Sequence, residues 1–340
     1  MIIDFHTHIF PESISKRVLE KLGKAAGVLP ATNGATSGLA ASMKEAGVTY
    51  SVNLPVMTSI EQVSSVNANL VSEKDTLLAD GILTFGGMHP DYENYKDELH
   101  HLANAGIKGI KLHPAYQRVD LNDIRMKRII ACASELGLIT LIHAGIDIGL
   151  YDHNYSSVAQ ILTVIKEVQP EKFVLAHMGN WACWDEVESD LAGGGGVAGV
   201  PVFLDTAFSI GPLDAYPDVP AGPYSRVVLE DKAFLRIARK HGTKRILFAT
   251  DSPWQPQKRY VERFAGIGLT EEEQKQILGE NAEKLLETVK ELAACDEKTE
   301  KAKGETLLGD ALLGLCEIAR REKIPAEQVL MDRIEELIEA

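Results

Sequence analysis

Apolar residues gather into runs of strand length at 2 to 5, 48 to 54, 82 to 87, 107 to 112, 138 to 142, 172 to 176, 201 to 205 and 245 to 250. Most are separated by stretches long enough for a helix, such as Leu121 to Glu135 and Val158 to Val168. This alternation implies right-handed βα units on a parallel sheet, and eight units predict an α/β protein closed into a (β/α)8 TIM barrel. A doubly wound open sheet competes with that reading, but its usual GxGxxG turn is missing after the first run. Gly193 to Gly196 lies between a helix-length stretch and a strand, so it reads as a turn and not a phosphate cradle.

The pattern changes near residue 295. Asp296 to Glu305 is charged and lacks aliphatic anchors, after which Leu308, Leu312, Leu315 and Ala319 recur at spacings of three and four. Pro325 can then start a second helix carrying Val329, Leu330, Ile334, Leu337 and Ile338. We therefore expect a barrel over 1–294 and a helical extension over 295–340. Its apolar face must dock on the barrel or on a second subunit, which leaves a homo-oligomer open.

The runs end in metal-binding residue types. Ile2-Ile3-Asp4-Phe5 leads into His6-Thr7-His8, and strand geometry sends residues i and i+2 to one face. The run at 138 stops at His143, that at 172 at His177 and that at 245 at Asp251. A lone strand-end histidine is ordinarily a hydrogen-bonded structural residue, and Asp251 alone reads as a turn aspartate before Pro253. Agreement among five such residues is different. It argues for strands gathered around a shared cation, at the strand ends where barrels place their chemistry.

Composition narrows the ligand. A formal charge of -14, with 45% hydrophobic and 25% charged residues, describes a globular chain that repels phosphate backbones and anionic lipid. A small-molecule substrate is expected, with no nucleic acid and no membrane partner. Cys132, Cys183, Cys295 and Cys316 are widely spaced and read as reduced, and neither a signal peptide nor a membrane span is evident. A cytoplasmic location follows as the expectation.

The wording Asp4-Phe5-His6-Thr7-His8, Gly109-Ile110-Lys111-Leu112-His113-Pro114 and Phe248-Ala249-Thr250-Asp251-Ser252-Pro253-Trp254 resembles the amidohydrolase superfamily. Within it, the amidohydrolase-related branch that includes aminocarboxymuconate semialdehyde decarboxylases is the most similar. The resemblance implies that His6, His8, His143 and Asp251 ligate one divalent metal, of which zinc is the expected identity, with water in an open position. It also implies that His177 polarises substrate or orients water, while Asp251 moves the proton. The expected activity is hydrolysis of an amide, lactone or cyclic ester, the metal's water attacking a carbonyl-type carbon. A decarboxylase of an unsaturated or aromatic acid is the alternative.

Lys111 alternates in phase with Gly109 and His113 and so faces inward. It either bridges two metals as a carbamate, as in two-metal members of the superfamily, or pairs with a substrate carboxylate or with Asp4. His89 and His113, each before a proline, contact substrate or merely finish strands. Trp254 is a candidate pocket wall. The Gly- and Pro-rich stretch Ser209 to Ser225 is expected to wall the pocket and set substrate choice.

Overall fold

The computed structural model describes residues 1–193 and 199–286. The expected extension at 295–340 lies outside the described residues, as do all but the first glycine of the run at 193. The strands are β1 (Ile3–Thr7), β2 (Tyr50–Asn53), β3 (Ile82–Thr84), β4 (Gly86–Gly87), β5 (Gly109–Leu112), β6 (Ile139–Ile142), β7 (Phe173–Leu175), β8 (Val202–Asp205) and β9 (Ile246–Leu247). All pair in parallel, in the orders β1-β2-β3 and β4-β5-β6-β7-β8-β9.

The expected single strand at 82 to 87 is thus split at Phe85. Its backbone N–H still donates to the Asn53 carbonyl at 3.0 Å, so the chain carries the ladder across the gap. The split has a steric cause in part. A side chain on Gly86 would meet Leu102 at 2.5 Å, and one on Gly87 would meet Met57 at 2.7 Å, so covering residues press directly on the backbone. The other seam is closed by Phe5 donating to the Phe248 carbonyl at 2.9 Å and Asp251 donating to the His6 carbonyl at 2.8 Å. Eight barrel positions therefore form a closed TIM barrel.

Side chains alternate between an interior and an outer layer. Phe5, Val52, Phe85, Ile139, Leu141, Val174, Leu247 and Ala249 form one cluster contributed from around the barrel, which only its interior can hold. Ile110, Leu112, Ile142, Phe173, Leu175, Leu204 and Phe248 belong to the larger cluster that includes the covering helices. Lys111 lies between the outward Ile110 and Leu112, so it points inward as its phase predicts. His143 follows the outward Ile142 and also turns in.

The β1–β9 seam depends on one buried carboxylate. Asp4 accepts from the Thr250 amide at 3.0 Å, the Thr250 hydroxyl at 2.5 Å and Gln257 Nε2 at 2.8 Å. Burial still pushes its carboxyl up to about 6. Asp4→Ala leaves these donors without an acceptor, and we expect a loss of about 2–4 kcal/mol in urea unfolding. Asp4→Asn, which keeps one acceptor oxygen, is expected to lose less.

Candidate metal centre

Local backbone geometry aims the side chains. Asp4 pairs with Ser51 and Thr7 with Asn53, so β1 spends three steps where β2 spends two. This bulge lets Phe5 enter the interior cluster while His6 turns toward Lys111. His177 and Asp251 adopt left-handed backbone conformations, with φ of 59° and 69°. Residues other than glycine hold such conformations at a cost of about 1–3 kcal/mol, and that strain collects at functional sites. Gly145, two residues after His143, has φ 99° and sits where a Cβ would lie 2.2 Å from the Trp181 nitrogen. Only glycine fits there.

His6, His8 and Asp251 present donor atoms that all lie within 4.8 Å of one another. The His6 Nδ1–H donates to Asp205 Oδ2 at 2.9 Å, and the His8 Nδ1–H donates to the Leu54 carbonyl at 2.7 Å. Each hydrogen bond fixes the tautomer and leaves Nε2 with a lone pair turned inward. His6 Nε2 and His8 Nε2 stand 3.6 and 3.0 Å from Asp251 Oδ1. Three electron-pair donors facing one point require positive charge between them. Lys111 supplies part of it, placing Nζ 3.2 Å from His6 Nε2. Lys111 thus meets His6, while Asp4, one of the alternative partners expected for it, is engaged by Thr250 and Gln257.

A second group adjoins the first. The His177 Nδ1–H donates to the Ala207 carbonyl at 2.9 Å, so its Nε2 receives the proton of His143 Nδ1 across 3.0 Å. His143 Nε2 is then left buried and without a hydrogen-bond partner. It lies 4.0 Å from Asp147 Oδ2, and His113 Nε2 lies 3.7 Å from the same oxygen. His143, His113 and Asp147 form the second trio able to hold an ion. The structure therefore brings His6, His8 and Asp251 together and places His143 beside them, next to His177.

Electrostatics keep the rings neutral. Burial, reinforced by Lys111 and neighbouring histidines, holds His6, His113 and His143 well below the usual imidazole range, and burial holds His177 near about 4. Burial raises the Asp251 carboxyl, but the adjacent His8 and His177 rings and the Lys111 charge outweigh it, so the net shift is downward. Burial likewise lowers Lys111, to about 8. Neutral imidazoles beside an ionised carboxylate are the donor set a divalent ion needs.

Two acidic residues of this site escaped the sequence reading. Asp205 accepts from the His177 and Ala207 amides at 2.9 and 3.0 Å as well as from His6, tying the ends of β1, β7 and β8. It ends an apolar run as Asp251 does, so the same signal would have found it. Asp147 follows β6 inside a loop and carried no such mark. Asp205→Asn is expected to weaken divalent-metal affinity about 10–100-fold without unfolding the barrel. Competition with a chromophoric chelator measures it.

These groups open into a cavity of about 990 Å³ that Lys111, His113, Tyr116 and Trp254 also line. His89 does not line it, and its Nδ1 accepts from the Asp91 amide, which suits the strand-finishing role. The 209–225 loop does not line it either, contrary to expectation. That loop backs the N-terminal helix instead, with Leu29 donating to the Asp214 carbonyl and Tyr216 facing Gly23. The walls come from the helices Glu12–Ala26 and Gln62–Ala79.

Comparison with known proteins agrees with the barrel fold. No curated protein matches the chain significantly. Among solved structures it is similar to an uncharacterized TIM-barrel protein from Bordetella bronchiseptica (18% identity, 85% of this chain and 99% of that one, TM-score 0.62). It is also similar to a protein assigned as a 2-pyrone-4,6-dicarboxylic acid hydrolase from Pseudomonas putida (18% identity, 84% and 97%, TM-score 0.55). A third is a dihydroxybenzoic acid decarboxylase from Polaromonas with bound manganese and the inhibitor 2-nitroresorcinol (12% identity, 84% and 96%, TM-score 0.57). The model of the Amidohydrolase family matches residues 3–288, and the chain accordingly belongs to the amidohydrolase family of metal-dependent enzymes.

Proposed function

We propose that this enzyme hydrolyses a carbonyl-type bond, in an amide, lactone or cyclic ester, at one divalent ion held by His6, His8 and Asp251 with His143 as the fourth ligand. The observation that carries the reading is the trio of convergent donors, two of them imidazoles locked with Nε2 inward. The unpartnered His143 Nε2 supports the fourth assignment. Zinc suits these ligands, and manganese is the ion of the Polaromonas neighbour. Bound there, such an ion lowers the pKa of a coordinated water to about 7 and polarises the substrate carbonyl.

The chain's own groups do the rest. Asp251 accepts the proton of the attacking water as the new carbon–oxygen bond forms, then returns it to the leaving oxygen or nitrogen as that bond breaks. His177, braced at Nδ1 by Ala207, orients the water by exchanging at Nε2 the hydrogen bond it accepts from His143 Nδ1. Lys111 offers a donor to the developing oxyanion. His113 and Trp254 contact the rest of the substrate.

Decarboxylation of an unsaturated or aromatic acid is the second reading, favoured by the Polaromonas neighbour. Among the described residues, however, no arginine lines the cavity. A bidentate clamp on a substrate carboxylate is therefore missing from the described residues. Turnover in ¹⁸O-labelled water distinguishes the two. The proposal expects one labelled oxygen in the product acid; release of carbon dioxide with no label in the organic product overturns it.

A further inference from the structure

The cavity is longer than its chemistry requires. Beyond the histidines it continues between two helices that both turn apolar side chains toward it: Ile14, Val18 and Leu22 from Glu12–Ala26, and Val66, Leu70 and Leu77 from Gln62–Ala79. Ile14, Val18 and Leu22 recur every four residues, one stripe of a helix running about 12 Å along its axis. Ile14, Val18 and Leu22 remain partly exposed where they line the cavity, and Val66, packed in part on the core, offers it the rest of its side chain. Charge stays at the rim, where Lys21, Glu12 and Glu73 are exposed.

The charge balance also selects. Lysines 21 and 111 face Glu12, Glu73, Asp147 and Asp251 around this cavity, and arginine is absent from its lining among the described residues. With the divalent ion bound these charges balance, which leaves no surplus cation to hold a dianionic acid, whereas an uncharged compound needs none. Resting on the hydrolase reading, we propose that the substrate is an uncharged ester or lactone bearing an extended acyl chain. Its carbonyl sits at the His6, His8 and Asp251 end, and its chain lies in the slot between the two helices. Continuity of the slot with the metal centre in one cavity makes the substrate's own tail the occupant. A stripe of about 12 Å exceeds a single six-membered ring, which favours a chain.

Two measurements on the metal-loaded enzyme test this separately. Hydrolysis of p-nitrophenyl esters from acetate to octanoate is expected to rise in kcat/KM by about threefold per added methylene until the slot is full. The uncharged fluorophore N-phenyl-1-naphthylamine is expected to bind and to be displaced by 1-alkanols with the same chain-length grading, a readout that needs no chemistry. Val18→Arg and Val66→Arg, at partly exposed positions and shown to be folded by circular dichroism, are expected to abolish probe binding and flatten the ester series. Chain-graded displacement without ester hydrolysis keeps the slot and removes the hydrolase reading. Hydrolysis with no chain grading, grading that survives both arginines, or no probe binding overturns the slot.

Discussion

Alanine at both His6 and His8 is expected to yield a folded barrel that retains no ion at the first centre and loses activity by about 10⁴-fold or more. Both rings touch the interior only at its polar end, and their Nδ1 partners are the Asp205 carboxylate and the Leu54 carbonyl. Removing them deletes two of three convergent donors and leaves Asp251 with His143 only, too few for a zinc-class ligand sphere. The size of the loss follows from what the ion supplies, a water acidified by several pKa units and a polarised carbonyl. Circular dichroism, elemental analysis and turnover on the same preparation check it. A variant that loses the ion yet keeps turnover would remove the metal from the mechanism.

Asp251→Asn is expected to lower kcat by about 10²–10⁴-fold with a much smaller change in KM, because the amide cannot accept the proton of the attacking water. It also converts one anionic ligand to a neutral one, so affinity for the ion falls and the assay must run at saturating metal. His8 Nε2, 3.0 Å from Asp251 Oδ1, can accept from the new amide in the variant, which favours a folded site. Turnover unchanged at saturating metal would transfer the base role to another residue. The nearest alternatives are His177 and Asp147.

Much of this site was legible in the primary structure because barrel strands end where chemistry begins. Each of His6, His8, His143, His177 and Asp251 terminates an apolar run, and closure of the barrel forces such ends to one mouth. Asp205 obeyed the same rule and was passed over, although Val202–Asp205 is as plain a strand as the rest. The bulge between Asp4 and Thr7 was not legible, since register depends on the neighbouring strand. Nor was the split at Phe85, which comes partly from Leu102 and Met57 pressing on Gly86 and Gly87 from elsewhere in the chain.

The pocket walls show a different failure. Glycine and proline at 209–225 marked a loop, and loops commonly shape barrel mouths. That loop packs behind the Glu12–Ala26 helix, so the lining passes to Ile14, Val18 and Leu22. Their spacing of four was visible from the start, but a stripe at that period reads first as core. Only the cavity between the helices reveals a face left open to a ligand.

The central claim is that His6, His8 and Asp251 hold one divalent ion. Crystals grown with zinc or manganese, with diffraction recorded across the metal absorption edge, test it most directly. The account predicts an anomalous peak about 2.0–2.2 Å from His6 Nε2, His8 Nε2 and an Asp251 carboxylate oxygen. A saturated crystal with that point empty, and ion density confined to His113, His143 and Asp147, would contradict it.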